Sequence, residues 1–335
     1  MSGAQTVFLH IGRGKAGSTT IQSFVQANKA FLETEGIHCP LIPNGMANHA
    51  RLAKSLADRS SDRAPIREFR RDLERSPFPK LFLSAEALMS MPRNGIRLLQ
   101  RLTANREVRI LAYIRAYPDW VRSLYAQRTK RALSARDFDA FLAAGEHEVS
   151  ALPNLEQWSQ VFGWNAMRVR TLDRSGLAGG SLVSDVLDAL GVQGSPPEVA
   201  DANVSLHWMT LELLRALAEA RALIGETDRP SIRVISQLTE KCVQHVQPRQ
   251  GRYLTRKQWS ILAERYTRDV ETIGRHTGFP LPAPAMEPEE RAFLPSFDAI
   301  PAEIRADIQA TLCKSPLAKR ISPDTRQLLE DLLRS

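Results

Sequence analysis

The 335-residue chain has little cysteine and no long apolar run. Its three cysteines, Cys39, Cys242 and Cys313, are far apart and match no metal-ligand spacing, which excludes a disulfide framework and fits a reducing compartment. No stretch approaches the roughly 18 apolar residues of a membrane-spanning helix. The first residues, MSGAQTVFLHIG, lack the basic start and the longer apolar run of a signal peptide. We therefore expect a cytoplasmic protein without a membrane span.

The sequence also lacks the features of a nucleic-acid-binding protein. It has no recognisable nucleic-acid module and no basic stripe with interleaved aromatic residues. The formal net charge is nevertheless +8 and the pI is near 9.7, which indicates an anionic partner. Because the basic residues are scattered along the sequence, we expect the excess charge to serve a small anionic ligand and the solvated surface.

What the first half of the chain does contain is an alternation of short apolar runs and helical patterns. This alternation predicts a parallel sheet with crossover helices. The predicted strands are Thr6–Ile11, Lys80–Ser84, Val108–Ile114 and Met167–Thr171. The predicted helices after the first three strands are Ser18–Glu35, Pro92–Asn105 and Pro118–Leu133. The expected fold class is α/β, with a three-layer parallel sheet and a phosphate-binding loop after the first strand.

The last third of the chain shows only helical patterns. The predicted helices are Leu206–Ala222, Ser231–Val246, Thr255–His276, Pro301–Leu312 and Pro323–Leu333. The proline-rich segment 279–290 predicts an extended linker over the surface. We therefore predict an α/β core over residues 1–225 and a helical C-terminal part over residues 226–335 that packs on it.

The segment HIGRGKAGSTT, residues 10–20, is the strongest local signal. A strand, a glycine-bearing loop and a helix direct backbone N–H groups and the positive helix end to one point. Lys15 adds a full positive charge there, and Ser18, Thr19 and Thr20 add hydroxyl donors in the first helical turn. The segment predicts a site for a phosphate-like anion. The alternative is an ordinary strand-to-helix turn whose hydroxyls only cap the helix.

The position of the lysine distinguishes this loop from the usual nucleotide-triphosphate loop. In G-x-x-x-x-G-K-[ST] the lysine follows the second glycine, and the next hydroxyl holds Mg²⁺. Gly12 and Gly17 have the same spacing here, but Ser18 follows Gly17 and Lys15 precedes it. No acidic residue at the end of a predicted strand suits a metal. The order favours an anionic donor bound without a metal, with a P-loop-type kinase as the alternative.

The motif K-x-G-[ST]-T after an N-terminal strand resembles the 5′-phosphosulfate loop of sulfotransferases, which use 3′-phosphoadenosine 5′-phosphosulfate (PAPS) and need no metal. The segment LAYIRAYPDWVRSLYAQ resembles their 3′-phosphate motif, an Arg at a strand end and a Ser eight residues later. Arg115 and Ser123 have that spacing, and Pro118 suits a first helical turn. Taken singly, each residue has an alternative interpretation. Arg115 could form an ion pair on the surface, and Ser123 could be a solvated position on a helix. The resemblance to bacterial members covers roughly the first two-thirds of the chain.

This resemblance implies a set of cofactor-binding residues. For the 5′-phosphosulfate they are Arg13, Gly14, Lys15, Ala16, Gly17, Ser18, Thr19 and Thr20, and for the 3′-phosphate Arg115 and Ser123. Arg249, Gly251 and Arg252 in QPRQGRYLT correspond loosely to the basic loop that covers the 3′-phosphate in the family. Two positions depart from the pattern. Ala16 replaces a frequent Thr or Ser, and Thr20 stands where cytosolic members place the tryptophan that stacks on adenine.

Glu86 is the first candidate for the base that takes the acceptor's proton. It follows a predicted strand at the edge where open α/β sheets build their sites, and Ser84-Ala85-Glu86 matches an S-x-E pattern found in membrane-type sulfotransferases. The alternative is a carboxylate that stabilises a helix N-terminus. His49 is the second candidate, in the region that faces the acceptor in this family, with a capping or surface role as the alternative.

The expected activity is transfer of a sulfuryl group from PAPS to a hydroxyl or an amine. Lys15 would neutralise the leaving oxygen, and positioning would supply most of the catalysis. A further alternative is a protein of the same fold that binds a nucleotide or an anion without catalysis. Against it stands the joint presence of four site residues, Lys15, Glu86, Arg115 and Ser123. The sequence does not specify whether the acceptor is a saccharide, a lipid, a peptide or a small molecule. It does not specify the oligomeric state either. We expect structural roles for His10, which orients the loop, and for Trp120 and Tyr125.

Overall fold

The computed structural model describes residues 5–40, 48–58, 61–131, 135–144, 149–173, 176–194, 205–222, 228–248, 251–278, 281–282 and 295–334. The chain forms two compact units. The sheet unit takes Met1–Tyr117, Ser150–Asn203 and Ala263–Ala285, and the helical unit takes Pro118–Val149, Val204–Leu262 and Met286–Ser335. These units interleave along the sequence, so their limits differ from the predicted division at residue 225, which stays a prediction about domains.

The sheet unit contains five strands in its described part: β1 Thr6–Ile11, β2 Ile37–His38, β3 Lys80–Ala85, β4 Glu107–Ile114 and β5 Met167–Thr171. They form one sheet in the order β2-β3-β1-β4-β5, and every pairing is parallel. This confirms the predicted α/β class. The four predicted strands agree with the structure to within one residue at each end. The strand β2 was missed because a two-residue strand carries no periodic pattern.

The described helices follow in chain order: α1 Ser18–Ala27, α2 Lys29–Thr34, α3 Ala50–Leu56, α4 Ala64–Arg75, α5 Arg93–Leu102, α6 Tyr117–Lys130, α7 Phe138–Ala143, α8 Leu152–Phe162, α9 Leu182–Leu190, α10 Trp208–Ala222, α11 Arg229–Val243, α12 Arg256–Thr277, α13 Ala302–Lys314 and α14 Pro323–Arg334. The single helix predicted after β1 is two helices, because Asn28 leaves the helical region with φ −120° and its side-chain amide donates to Phe24 O. The proline-rich segment lies outside the described residues apart from Leu281 and Pro282.

Both faces of the sheet are buried. On one face, Phe8 and Phe82 pack with α1 and α9 in a single hydrophobic cluster. On the other face, Val7 and Leu9 are equally buried. Because alternate residues of a strand point to opposite faces, apolar cover on both sides means a three-layer arrangement, as the sequence predicts.

The helical unit has its own core, which includes Leu213, Ile235 and Leu329. One carboxylate is buried there. Glu212 accepts a hydrogen bond from Arg215 Nε at 2.8 Å and one from Tyr125 at 3.2 Å, while burial raises the pKa of its carboxyl. Trp120 and Tyr125 are both buried, as predicted.

A buried carboxylate also joins β4 to α9 within the sheet unit. Asp185 is fully buried and accepts a hydrogen bond from the Tyr113 hydroxyl at 2.6 Å and one from Ala178 N at 3.0 Å. Arg170 Nη1 lies 3.6 Å from the same carboxylate. Burial raises the pKa of Tyr113, so its hydroxyl remains a donor at every ordinary pH.

Replacing Asp185 should therefore destabilise the fold strongly. The change Asp185→Ala leaves a buried hydroxyl and a backbone N–H without their acceptor and removes one of the two carboxylates beside Arg170, which we expect to lower the free energy of unfolding by about 3 kcal/mol. Urea denaturation measures the change. The control is Asp188→Ala on the same helix, whose exposed carboxylate pairs with Arg168 and Arg170 and should contribute about 0.5 kcal/mol or less. Equal effects of the two substitutions would contradict this account.

Candidate functional site

The candidate site lies at the carboxyl edge of the sheet, where the direction of the strand order changes. The central strand β1 has β3 on one side and β4 on the other. The loop 12–17 follows β1, Glu86 follows β3, and Arg115 follows β4. Three predicted elements of the site thus leave adjacent parallel strands at the same edge, the position at which open α/β sheets bind ligands.

The loop between β1 and α1 is held in a tight conformation. Lys15 has φ +67° and Gly17 has φ +82°, and Ala16 N donates to Arg13 O at 3.0 Å. A left-handed conformation at a non-glycine residue costs on the order of 1 kcal/mol and is concentrated at functional sites. At Gly17 a side chain has no room, since an added Cβ would lie 2.3 Å from Leu182 Cδ2.

The N-terminus of α1 carries no anion from the protein itself. Its N-cap residue Gly17 offers no side-chain hydrogen bond, and its first turn contains no acidic residue. The first N–H groups of a helix have no partner within the helix, and together with the helix dipole they favour a bound anion. Lys15 and Gly17 are both left-handed, with Ala16 between them. Such an alternation just before a helix gives the concave arrangement of N–H groups that binds anions in other loops.

Ser18 supplies a hydroxyl inside this loop. The side chain is buried, and its Oγ has no hydrogen-bond partner among the described residues. Its Oγ lies 2.1 Å from where a Cβ on Gly12 would stand, so only glycine fits at position 12. A buried hydroxyl without a partner is costly, which is the expected condition of a donor whose acceptor is a ligand.

The remaining loop residues differ in what they can offer a ligand. Thr19 is exposed and Thr20 is half-buried, so both hydroxyls remain candidates. Ala16 places its methyl group in the hydrophobic cluster with Phe8 and gives its N–H to Arg13 O. We therefore leave Ala16 out of the proposed binding set.

Glu86 lies beside the loop. It is exposed and begins a short 3-10 turn, Glu86–Leu88, directly after β3. Its Oε2 is 3.7 Å from where a Cβ on Gly14 would stand. The two residues were predicted as parts of one site from separate motifs, and the fold brings them together. A carboxylate in this place has access to an acceptor bound over the loop.

His49 has a different environment. Its Nδ1 accepts the Ser84 backbone N–H at 3.1 Å, and its Nε2 lies 2.7 Å from Pro40 O, to which it donates. Burial lowers the pKa of this histidine. A general base needs an unprotonated atom open to the acceptor, and Nδ1 is already engaged. The geometry favours Glu86 over His49, whose role as base stays a prediction.

Arg13 is held over an aromatic ring that the sequence did not identify. Its guanidinium carbon lies 5.7 Å from the centroid of the Tyr117 ring, at a distance suited to a cation–π contact. The Tyr117 hydroxyl donates to Asp269 and accepts from Ala151 N at 3.0 Å. Burial raises the pKa of Tyr117, so the ring stays neutral. The only sequence signal was its place two residues after Arg115.

The predicted 3′-phosphate residues are spread over both units. Arg115 is half-buried at the end of β4, two residues before α6. Ser123 lies on α6 in the helical unit and is also half-buried, and its pairing with Arg115 stays a prediction. Gly251 is tightly packed in the helical unit, where an added Cβ would lie 2.6 Å from Pro295 Cγ. Arg252 is half-buried beside it, and Arg249 lies outside the described residues.

His10 connects the end of β1 to β3 beneath the loop. It is fully buried, and its Nδ1 lies 2.8 Å from Ser84 Oγ, which accepts a hydrogen bond from Gln22 Nε2 at 3.2 Å. The direction of the hydrogen bond between Nδ1 and Ser84 Oγ follows from the tautomer of the ring. The His10 Nε2 has no partner among the described residues. Because His10 Cε1 and Ser18 Oγ both approach the Cβ position of Gly12, the ring lies next to the Ser18 hydroxyl.

The buried His10 should make stability depend on pH. Burial lowers its pKa to about 3, below the ordinary value near 6.5. Between these values the unfolded chain binds more protons, so the stabilisation is complete above about pH 6.5 and is lost as pH falls toward 3. His10→Gln should reduce the slope of unfolding free energy against pH by about 1.4 kcal/mol per unit near pH 5. The measurement is urea denaturation across that range.

The control for this pH measurement is His245→Gln, at an exposed histidine in the helical unit. It should leave the slope unchanged. A slope equal to wild type in His10→Gln would show that folding does not lower the pKa of His10 and would contradict its burial as a neutral ring.

The described residues lack two further kinds of feature. They contain no group of three or more His, Cys, Asp or Glu side chains placed to hold a metal ion. None of the helices within the described ranges combines the length and the apolar character needed to cross a membrane.

The chain is similar to the crystal structure of a sulfotransferase from Alicyclobacillus acidocaldarius, with 15% identity and a TM-score of 0.39, over 67% of this chain and 98% of that chain. No family model matches the chain, and no curated protein matches it. With so low a TM-score, the assignment of the site rests on the geometry described above.

Proposed function

We propose that the protein is a sulfotransferase that moves a sulfuryl group from PAPS to a hydroxyl or an amine without a metal ion. The observation that carries the proposal is the loop after β1. Lys15 is in a left-handed conformation, the N-terminus of α1 has no protein anion, and the buried Ser18 hydroxyl has no partner in the described chain. These features suit a phosphosulfate, and the order of the lysine and the glycines matches the sulfotransferase motif.

The residues of the loop fit the 5′ end of PAPS. The Ser18 hydroxyl, with the Thr19 hydroxyl and the first N–H groups of α1, would bind the 5′-phosphate. Lys15 would place its ammonium near the bridging oxygen and stabilise the negative charge that develops as that oxygen leaves. Arg115 would bind the 3′-phosphate with Ser123 from α6. The bound nucleotide supplies the sulfuryl group and a phosphate leaving group.

Glu86 would take the acceptor's proton. Its carboxylate is exposed and lies beside Gly14, so an acceptor hydroxyl placed over the loop has the base and the phosphosulfate on the same side. Positioning of the acceptor in line with the sulfur is the second requirement, which the same sheet edge would meet in this proposal. The kinase alternative requires a lysine directly after the second glycine, whereas in this loop Ser18 follows Gly17 and Lys15 precedes it.

The first test concerns the loop hydroxyl. Ser18→Ala should weaken binding of 3′-phosphoadenosine 5′-phosphate (PAP) by about 10- to 100-fold, the range for a lost hydrogen bond to a charged group. It should not destabilise the free protein, since the hydroxyl has no partner there. Titration calorimetry in EDTA measures the affinity. Ser23→Ala, at an exposed position of α1, is the matched control. A loss of stability with unchanged affinity would assign Ser18 to the fold alone.

The second test concerns the base. Glu86→Gln keeps the size of the side chain but removes its basicity, so PAP affinity should be nearly unchanged while turnover falls about 100-fold. Turnover is followed as PAP release from PAPS with a panel of saccharide and phenol acceptors. Glu74→Gln, at an exposed carboxylate of α4, is the control. Turnover at the wild-type rate in Glu86→Gln would remove this residue from the role of base.

A further inference from the structure

The positive charge of the chain is concentrated in one segment. Residues 51–106 contain thirteen Lys or Arg and six Asp or Glu, so this segment carries +7 of the formal net charge of +8. The scattered distribution expected from the sequence is therefore wrong. A charge difference of this size between parts of one chain indicates a surface for a polyanionic partner.

The segment forms neighbouring helices of the sheet unit. Helix α3 packs against α4 and against α5, and it also packs against the 3-10 turn that begins with Glu86. At its start, His49 N donates to Ser84 O at 2.9 Å. The group of three helices therefore adjoins the carboxyl edge of the sheet, where the candidate site lies.

Two of these helices carry matching arginine stripes. On α4 the stripe is Arg67, Arg71 and Arg75, and on α5 it is Arg93, Arg97 and Arg101. Residues four apart lie on the same side of a helix, and each stripe extends over about 12 Å. We call these six residues the arginine face. All six are exposed, and none forms a salt bridge within the part of the chain that the structure describes.

The carboxylates of α4, Glu68, Asp72 and Glu74, partly offset its stripe, so α5 is the more strongly positive of the two helices. Asp62 pairs with Arg51 at 2.8 Å, and Asp58 pairs with Arg63. Helix α5 contains no acidic residue, and the acidic residues of α4 make no salt bridge with its stripe in the described structure. The three like charges of α5, spaced along one side of a helix without an acidic residue, repel one another, a cost that a bound polyanion removes.

We propose that the arginine face binds an acidic polysaccharide, with carboxylate or sulfate groups, and holds it next to the Glu86 edge as the acceptor. Guanidinium groups recognise carboxylate and sulfate oxygens with paired hydrogen bonds. The acceptor role rests on the proposed function, whereas the binding itself does not. A polysaccharide fits because each stripe is longer than a single sugar unit.

Other polyanions fit the face less well. The three helices expose no aromatic side chain for base stacking, since α3 and α5 contain none and Phe69 of α4 is buried. A membrane surface usually also receives apolar side chains. The only large apolar side chain exposed among the described residues is Ile261, which belongs to the helical unit.

The test measures binding of fluorescein-labelled oligogalacturonate and dextran sulfate by anisotropy at two salt concentrations. The variant with Arg93→Ser, Arg97→Ser and Arg101→Ser should lose about tenfold or more in affinity and part of the salt dependence. The matched control replaces three exposed cations of the helical unit that form no salt bridge in the described structure, with Arg233→Ser, Lys241→Ser and Arg320→Ser. It has the same net charge as the test variant and should bind like wild type.

Three results would overturn the proposal. They are absence of binding to both polysaccharides, an equal loss in the control variant, and tighter binding to single-stranded DNA or to phosphatidylserine vesicles than to either polysaccharide. PAP affinity, measured on the same variants, should not change. Polysaccharide binding without PAP binding would leave the arginine face in place and contradict the proposed sulfotransferase function. PAP binding without polysaccharide binding would contradict only the arginine-face proposal.

Discussion

The site depends on the close packing of the turn from β1 into α1. Gly17 lies against Leu182 of α9, and the Ser18 hydroxyl fills the space that a side chain at Gly12 would need. Together with the left-handed conformation at Lys15, these contacts fix where the N-terminus of α1 points. Because β1 is the central strand, the turn is positioned by β3 and β4 on its two sides. A substitution that loosens this packing moves every donor of the proposed anion site at once.

Burial of neutral polar groups below the loop reinforces the same arrangement. His10 is uncharged because burial lowers its pKa, and its Nδ1 is hydrogen-bonded to Ser84. Glu86, in contrast, is exposed beside the loop. The candidate site thus combines a buried polar layer beneath the loop with exposed polar side chains above it. The arginine face adds exposed charged side chains on the neighbouring helices.

The sequence was sufficient where a local pattern determines the structure. The apolar runs of β1, β3, β4 and β5 located the parallel sheet, and the glycine spacing located the loop. It failed where the determining contact lies far away in the chain. The position of Tyr117 depends on its hydrogen bond to Asp269. The lack of a hydrogen-bond partner for the Ser18 hydroxyl among the described residues depends on how Gly12 and His10 pack around it. The charge concentration was visible in the composition of residues 51–106, but the contacts of α3 with α4, with α5 and with the turn that begins at Glu86 were needed to place it near the candidate site.

The central claim is that the chain binds a nucleotide with a 3′-phosphate and needs no metal. The most direct measurement compares the affinities for PAP, 5′-AMP and ATP by calorimetry, first in EDTA and then with Mg²⁺. The account predicts tight binding of PAP in EDTA, much weaker binding of 5′-AMP, and loss of that preference in Arg115→Ala. Weak binding of PAP, or a preference for ATP that requires Mg²⁺, would contradict it and favour the kinase alternative.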